Sequence, residues 1–253
     1  MKLIHLVLCL AILCSLCAAE DASKYFDNLG SKLYSARNYS EALDYYNISL
    51  DQDAANADAW IHKGDSERVL RNYNDSIRSY HQATGLDSKK ALAWSGLSNT
   101  YSVRKDYANA SSAAAKLTEI DPKNKGYWVN EGTFLQLEGN FSGAETEFDR
   151  ALALDAQYKD ALYRKALSQM AANNTDQAMN LLDQVLAIDP KYKQAYNAEG
   201  QALGAQGKYN GALAAYEKAL KIDPKWTPAL TNKMHVLLAA GKRKDAVDIF
   251  LKI

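Results

Sequence analysis

Residues Lys193–Trp226 read KQAYNAEGQALGAQGKYNGALAAYEKALKIDPKW, and most of the remaining chain is this stretch written again. Moving back 34 residues at a time from Asp223 reaches Asp189, Asp155, Asp121, Asp87 and Asp53, and Pro224, Pro190 and Pro122 follow three of them. Six aspartates in one register are the mark of an internal repeat. Within the unit, Tyr196, Glu199, Gly200 and Leu203 are spaced as in one amphipathic helix, Gly207–Tyr209 interrupts it, and Ala212, Tyr216, Ala219 and Leu220 mark a second. The unit is a helix-turn-helix hairpin.

Two neighbouring units carry the halves of a known pattern. Trp94, Leu97, Ser98 and Tyr101 follow W-x2-L-G-x2-Y, and Ala144 with Phe148 follows A-x3-F. The chain therefore resembles the tetratricopeptide repeat family. The resemblance implies an all-α fold, a right-handed superhelical solenoid of helix-turn-helix hairpins with a 34-residue period. With Ser23 as position 1, the repeats run 23–56, 57–90, 91–124, 125–158, 159–192 and 193–226, and an incomplete seventh, 227–253, reads as a C-terminal cap.

Repeats account for 231 residues, leaving almost nothing for a separate catalytic domain. Thirty Lys and Arg balance thirty Asp and Glu, so no field of one sign exists to hold a phosphate backbone, and nucleic acid is not an expected partner. Residues 1–19 differ from the rest: Lys2, an apolar run from Leu3 to Leu16, then Cys17, Ala18 and Ala19 ahead of Glu20 and Asp21. This reads as a signal peptide cleaved after Ala19, which directs the chain to the cell surface or beyond. The alternative is an uncleaved N-terminal anchor, although the run is short of the ~20 residues that span a bilayer. Cys9, Cys14 and Cys17 all lie in this segment, so the mature chain has no thiol for a disulfide or a zinc site.

Position by position, the repeats show where helices approach. Position 20 is Ala42, Ser76, Ala110, Ala144, Ala178, Ala212 and Ala246; position 8 is Gly30, Gly64, Ser98, Gly132, Ala166 and Gly200, then Met234, which suggests looser packing in the last hairpin. Large residues fill the complementary places: Phe26, Trp60, Trp94, Trp128, Leu162, Tyr196 and Leu230 at position 4, and Tyr46, Tyr80, Phe148, Leu182, Tyr216 and Phe250 at position 24, with Ala114 as the exception. Recurrence at the repeat period assigns this stripe to packing rather than to a cofactor platform. In the turns, Ser40, Asn74, Ser142, Asp176 and Asn210 fall where an N-cap for the second helix is expected. Asn-x-Ser/Thr sequons occur there at Asn38, Asn74, Asn140 and Asn173, with others at Asn47 and Asn109, and with an export signal they are candidate N-glycosylation sites. Capping preferences offer a second account of the same residues.

No H-E-x-x-H, G-x-S-x-G, Walker or G-x-G-x-x-G motif is present, and His62, His81 and His235 lie in different repeats, so neither catalysis, a cofactor nor a small-molecule substrate is expected. His62 and Asp65 stand one helical turn apart and read as a solvated pair. In the resembling family, ligands are peptide segments held on the concave surface by the first helix of each hairpin. Carried over by position, the groove is Asn28, His62, Asp65, Asn99, Asn130, Arg164, Asn197 and Gln201, a polar and amide-rich set. Asn99, Asn130 and Arg164 match the pattern of members that clamp a C-terminal carboxylate, but Ser95 and Asp160 replace its two lysines. The expected function is a secreted or surface scaffold binding a protein or peptide as a monomer or weak homo-oligomer. The alternative is a self-associating structural component using Phe250 and Leu251.

Overall fold

The computed structural model describes residues 19–251, and every regular element among them is an α-helix. The leader thus falls outside the described residues apart from Ala19, and so do His5, the three cysteines, Lys252 and Ile253. The helices are α1 (Ala19–Ser35), α2 (Tyr39–Gln52), α3 (Ala57–Val69), α4 (Tyr73–Leu86), α5 (Ala91–Val103), α6 (Tyr107–Ile120), α7 (Lys125–Glu138), α8 (Phe141–Leu154), α9 (Lys159–Ala171), α10 (Thr175–Ile188), α11 (Lys193–Ala205), α12 (Tyr209–Ile222), α13 (Thr227–Ala239) and α14 (Arg243–Phe250). Consecutive pairs form hairpins. The chain divides into two compact units, Met1–Pro122 and Lys123–Ile253, the first built from α1–α6 and the second from α7–α14.

Why each hairpin closes is visible in the contact between positions 8 and 24. A Cβ on Gly30 would stand 2.5 Å from Tyr46 Cε1, one on Gly132 2.6 Å from Phe148 Cε1, and one on Gly200 2.5 Å from Tyr216 Cε1. Backbone and ring touch directly, and the rings of Tyr46, Phe148 and Tyr216 are buried. Where the ring is absent the glycine is absent too: Ala114 faces a repeat with Ser98, and Leu182 one with Ala166. Each buried ring contributes about 2–3 kcal/mol of burial energy. In the last hairpin, Met234 packs against the cluster of Tyr216, Leu230, Val236 and Ile249.

Turns within the hairpins differ from the sequence expectation. The second helices start two residues earlier, capped by Asn38, Asn72, Asp106, Asn140, Asn174, Lys208 and Lys242. Ser40, Asn74, Ser142, Asp176 and Asn210 are therefore inside the first turn of a helix and are not caps. The cause lies one residue further back. Arg37, Arg71, Lys105, Gly139, Asn173, Gly207 and Gly241 all have left-handed backbone, with φ between 61° and 94°. Asn38 N–H then donates to Leu33 C=O at 2.8 Å and Arg37 N–H to Tyr34 C=O at 2.9 Å, and the same pair of bonds recurs down the chain. This ends the first helix abruptly and leaves the next residue to begin the second.

Turns between hairpins explain the aspartate register. Asp53, Asp87, Asp155, Asp189 and Asp223 each accept the backbone N–H two residues on through Oδ1. In the second unit Asp155, Asp189 and Asp223 also take Lys125, Lys159 and Lys193, which lie over the rings of Tyr158, Tyr192 and Trp226 at 4.5, 4.8 and 4.9 Å. These lysines hold the three carboxyls below the ordinary aspartate range. Position 4 secures the turn from its other side: Trp60 Nε1 donates to Ala54 C=O and Trp94 Nε1 to Ser88 C=O, both at 2.9 Å, and the Tyr196 hydroxyl to Pro190 C=O at 3.3 Å.

Candidate protein-binding cleft

Polar positions on the first helices of successive hairpins bond to one another in both units; in the second, Gln136 Nε2 donates to Ser168 Oγ at 3.1 Å, joining α7 to α9. His62 Nδ1 meets Asp27 Oδ1 at 2.8 Å, joining α3 to α1, and the bond to Asp27 raises the imidazole pKa against the opposing effect of burial. Asp65 accepts Arg68 at 3.1 Å and the Tyr80 hydroxyl at 2.8 Å. The solvated His62–Asp65 pair read from the sequence is thus not formed, because each residue has a better partner across the packing. Asn28 and Asn99 remain exposed, Asn28 on the rim of an open depression with Tyr25, Ser31, Lys32 and Ser35.

In the second unit a cleft of about 520 Å³ opens over α7 and α9. Asn130, Thr133, Val129 and Phe134 come from α7, Asp160, Tyr163 and Arg164 from α9, and Tyr158 and Tyr192 from the turns that follow α8 and α10. Tyr163 and Tyr192 meet edge to face at 5.3 Å. Burial first and Asp160 second push the Tyr192 hydroxyl up to about 12, and burial raises Tyr163, so both stay neutral donors at physiological pH. Thr133 turns its hydroxyl back to Val129 C=O at 2.7 Å. Asn130 and Arg164 hydrogen-bond to no other described residue. Their amide, carbonyl and guanidinium groups point to a cleft with nothing yet asked of them.

Of the eight groove residues carried over by position, the structure brings together only Asn130 and Arg164. Asn197 is buried, and its Oδ1 accepts the Asn232 amide at 3.0 Å, tying α11 to α13; Gln201 is exposed outside the cleft. Asn99 belongs to the other compact unit, and Asp160 places an acid in the same cleft as Arg164, which disfavours a carboxylate ligand there. Sequence reasoning missed Tyr158 and Tyr192. Their signal was an aromatic at position 34 with a lysine at position 1 of the same repeat, a pairing that ends with Trp226 and Lys193.

Among the described residues no group of three His, Cys, Asp or Glu could hold a metal ion, and no helix is long and apolar enough to cross a membrane. Tetratricopeptide repeat sequence models match residues 28–73, 62–125, 135–202 and 193–226. The chain belongs to the tetratricopeptide repeat family, and its fold is an all-α solenoid of that family's hairpins. No curated protein matches it in sequence. Among solved structures it is similar to a tetratricopeptide repeat protein from Parabacteroides merdae, with TM-score 0.80, 16% identity and 92% of each chain covered. It is also similar to PilW, a type IV pilus biogenesis factor (TM-score 0.66, 18% identity, 83% of this chain and 97% of that one). YrrB, described as having an unusual peptide-binding site, aligns with TM-score 0.56 at 22% identity over 74% of this chain and 97% of its own.

Proposed function

We propose that the protein is an exported interaction scaffold that holds a segment of another protein in the cleft over α7 and α9. The observation that carries this reading is that Asn130 and Arg164 line the cleft beside three tyrosines and make no hydrogen bond to another described residue. Tyrosine and arginine dominate binding energy at protein interfaces, and an amide pairs with a peptide backbone in both directions. The peptide-binding site described for YrrB gives a precedent on the same fold. Export rests on the leader-like segment at residues 1–19.

A displayed peptide library panned against the full chain tests the cleft. Tyr163→Ala and Arg164→Ala are expected to weaken selected peptides by about tenfold or more, while Gln201→Ala leaves them unchanged. Selected peptides that bind all three variants equally would overturn the assignment. A second reading, self-association, is favoured by α14, where Val247, Phe250 and Leu251 are exposed at 55%, 65% and 77% instead of forming a polar outer face. Sedimentation velocity on the chain and on Phe250→Ser decides it: a dimer lost in the variant supports self-association, and a monomer throughout removes it.

A further inference from the structure

The chain has seventeen asparagines, six of them in Asn-x-Ser/Thr sequons. Serine and threonine together make up 25 of 253 residues, so chance placement gives about two sequons rather than six. Turn and cap preferences were the competing account of the excess, and the structure confines them to Asn38, Asn140 and the left-handed Asn173. Asn47, Asn74, Asn109 and Asn173 cap no helix, and of the two that do, only Asn140 makes a capping bond, to Gly143 N–H. The asparagines at the N-cap position of the corresponding helices, Asn72 and Asn174, are not in sequons. Asn47 lies inside α2, where asparagine is a poor helix former.

All six sequon asparagines are exposed. Asn38, Asn74, Asn140 and Asn173 lie at the turns joining the two helices of a hairpin, so within each unit they share one edge. Their chemistry there leaves the nitrogen accessible. Asn140 uses Oδ1 for its cap, and Asn74 uses Oδ1 to accept Arg104, and neither commits Nδ2 to a hydrogen bond with another described residue. Asn38 Nδ2 has only an exposed contact to Glu41 at 3.2 Å. Asn109 differs, its Nδ2 being held by Asp106 Oδ2 at 2.8 Å.

We infer that Asn38, Asn74, Asn140 and Asn173 are N-glycosylation sites, and that the hairpin-turn edge of each unit is sheathed in oligosaccharide. The donor is a polyprenyl-phosphate-linked oligosaccharide. Asparagine Nδ2 attacks the anomeric carbon, the bond from that carbon to the phosphate oxygen breaks, Nδ2 gives up one proton, and polyprenyl phosphate or diphosphate leaves. The product amide keeps its carbonyl oxygen, so Asn140 still caps α8. In the second unit Asn140 and Asn173 lie at the opposite helix ends from Tyr158 and Tyr192, and the cleft between α7 and α9 stays open. Glycans on this edge would keep other chains off the turns while leaving the binding face free.

The inference rests on export of the chain. The experiment is intact mass and peptide mapping of the full chain isolated from its own cells. Expected is a polypeptide lacking residues 1–19 and heavier than its sequence, with the excess on peptides containing Asn38, Asn74, Asn140 and Asn173 and lost one site at a time in the Asn→Gln variants. A processed chain with these four peptides unmodified, or with glycan confined to Asn47 or Asn109, overturns the glycosylation and leaves export standing. An unmodified chain that retains residues 1–19 inside the cell overturns both.

Discussion

Gly200→Ala tests the packing rule of the hairpins that set a position-8 glycine against a position-24 ring. The new Cβ would stand 2.5 Å from Tyr216 Cε1 and 2.7 Å from Cζ, and the ring cannot swing away because it is buried between α11, α12 and the next hairpin. Overpacking of this kind costs about 1–3 kcal/mol. Alanine gains about 1 kcal/mol over glycine in helix propensity, so the expected net loss is between zero and about 2 kcal/mol. The chain itself names the rescue, since the hairpin of α9 and α10 pairs Ala166 with Leu182. In a Tyr216→Leu background the clash is gone and Gly200→Ala becomes neutral or stabilising by up to about 1 kcal/mol, a coupling of about 2 kcal/mol. Repeat arrays need not unfold in one step, so urea midpoints should be read beside hydrogen exchange of α11 and α12 amides. Equal losses from Gly200→Ala in both backgrounds would refute the reasoning.

Four further substitutions report on other links. Arg71 holds φ 65° in its turn, so Arg71→Gly is expected to stabilise the first unit by about 1 kcal/mol and Gly207→Ala, at φ 73°, to destabilise the second by a similar amount, measured as urea midpoints. Glu67 is buried against the Ser79 hydroxyl at 2.7 Å, and burial raises its pKa despite that bond. A carboxyl raised on folding costs stability as pH climbs through its folded pKa, so Glu67→Gln should raise Tm at pH 7 and lose that advantage near pH 4; a pH-independent difference contradicts this. His62 has the opposite sign. Its raised pKa adds stability below the ordinary histidine value that disappears as pH rises through the folded pKa, and His62→Phe should flatten that dependence in thermal melts between pH 5 and 9.

How much of this was legible in the sequence depends on whether a position acts within its own repeat. Hairpin packing is local and repeats seven times, so Gly200 and Tyr216 announce their contact by spacing alone, and Ala166 with Leu182 confirms it by joint departure. Caps were misplaced by two residues because Asn38 and Ser40 are equally good cap types; a left-handed residue at Arg37 chooses between them, and arginine carries no sign of that backbone. The cleft was least legible, because position within a repeat says which face a side chain occupies and not whether it is already spent. His62 and Arg164 are both first-helix polar residues on the carried-over groove, yet Asp27 hydrogen-bonds to one, and the other makes no hydrogen bond to a described residue. Asp27 lies 35 residues from His62, one repeat and one residue away, and such a bond appears in sequence only when acid and imidazole occupy those two places at once. The polar partner of a first helix is therefore set by the hairpin before it, as it is for His62 with Asp27, Ser168 with Gln136 and Asn232 with Asn197.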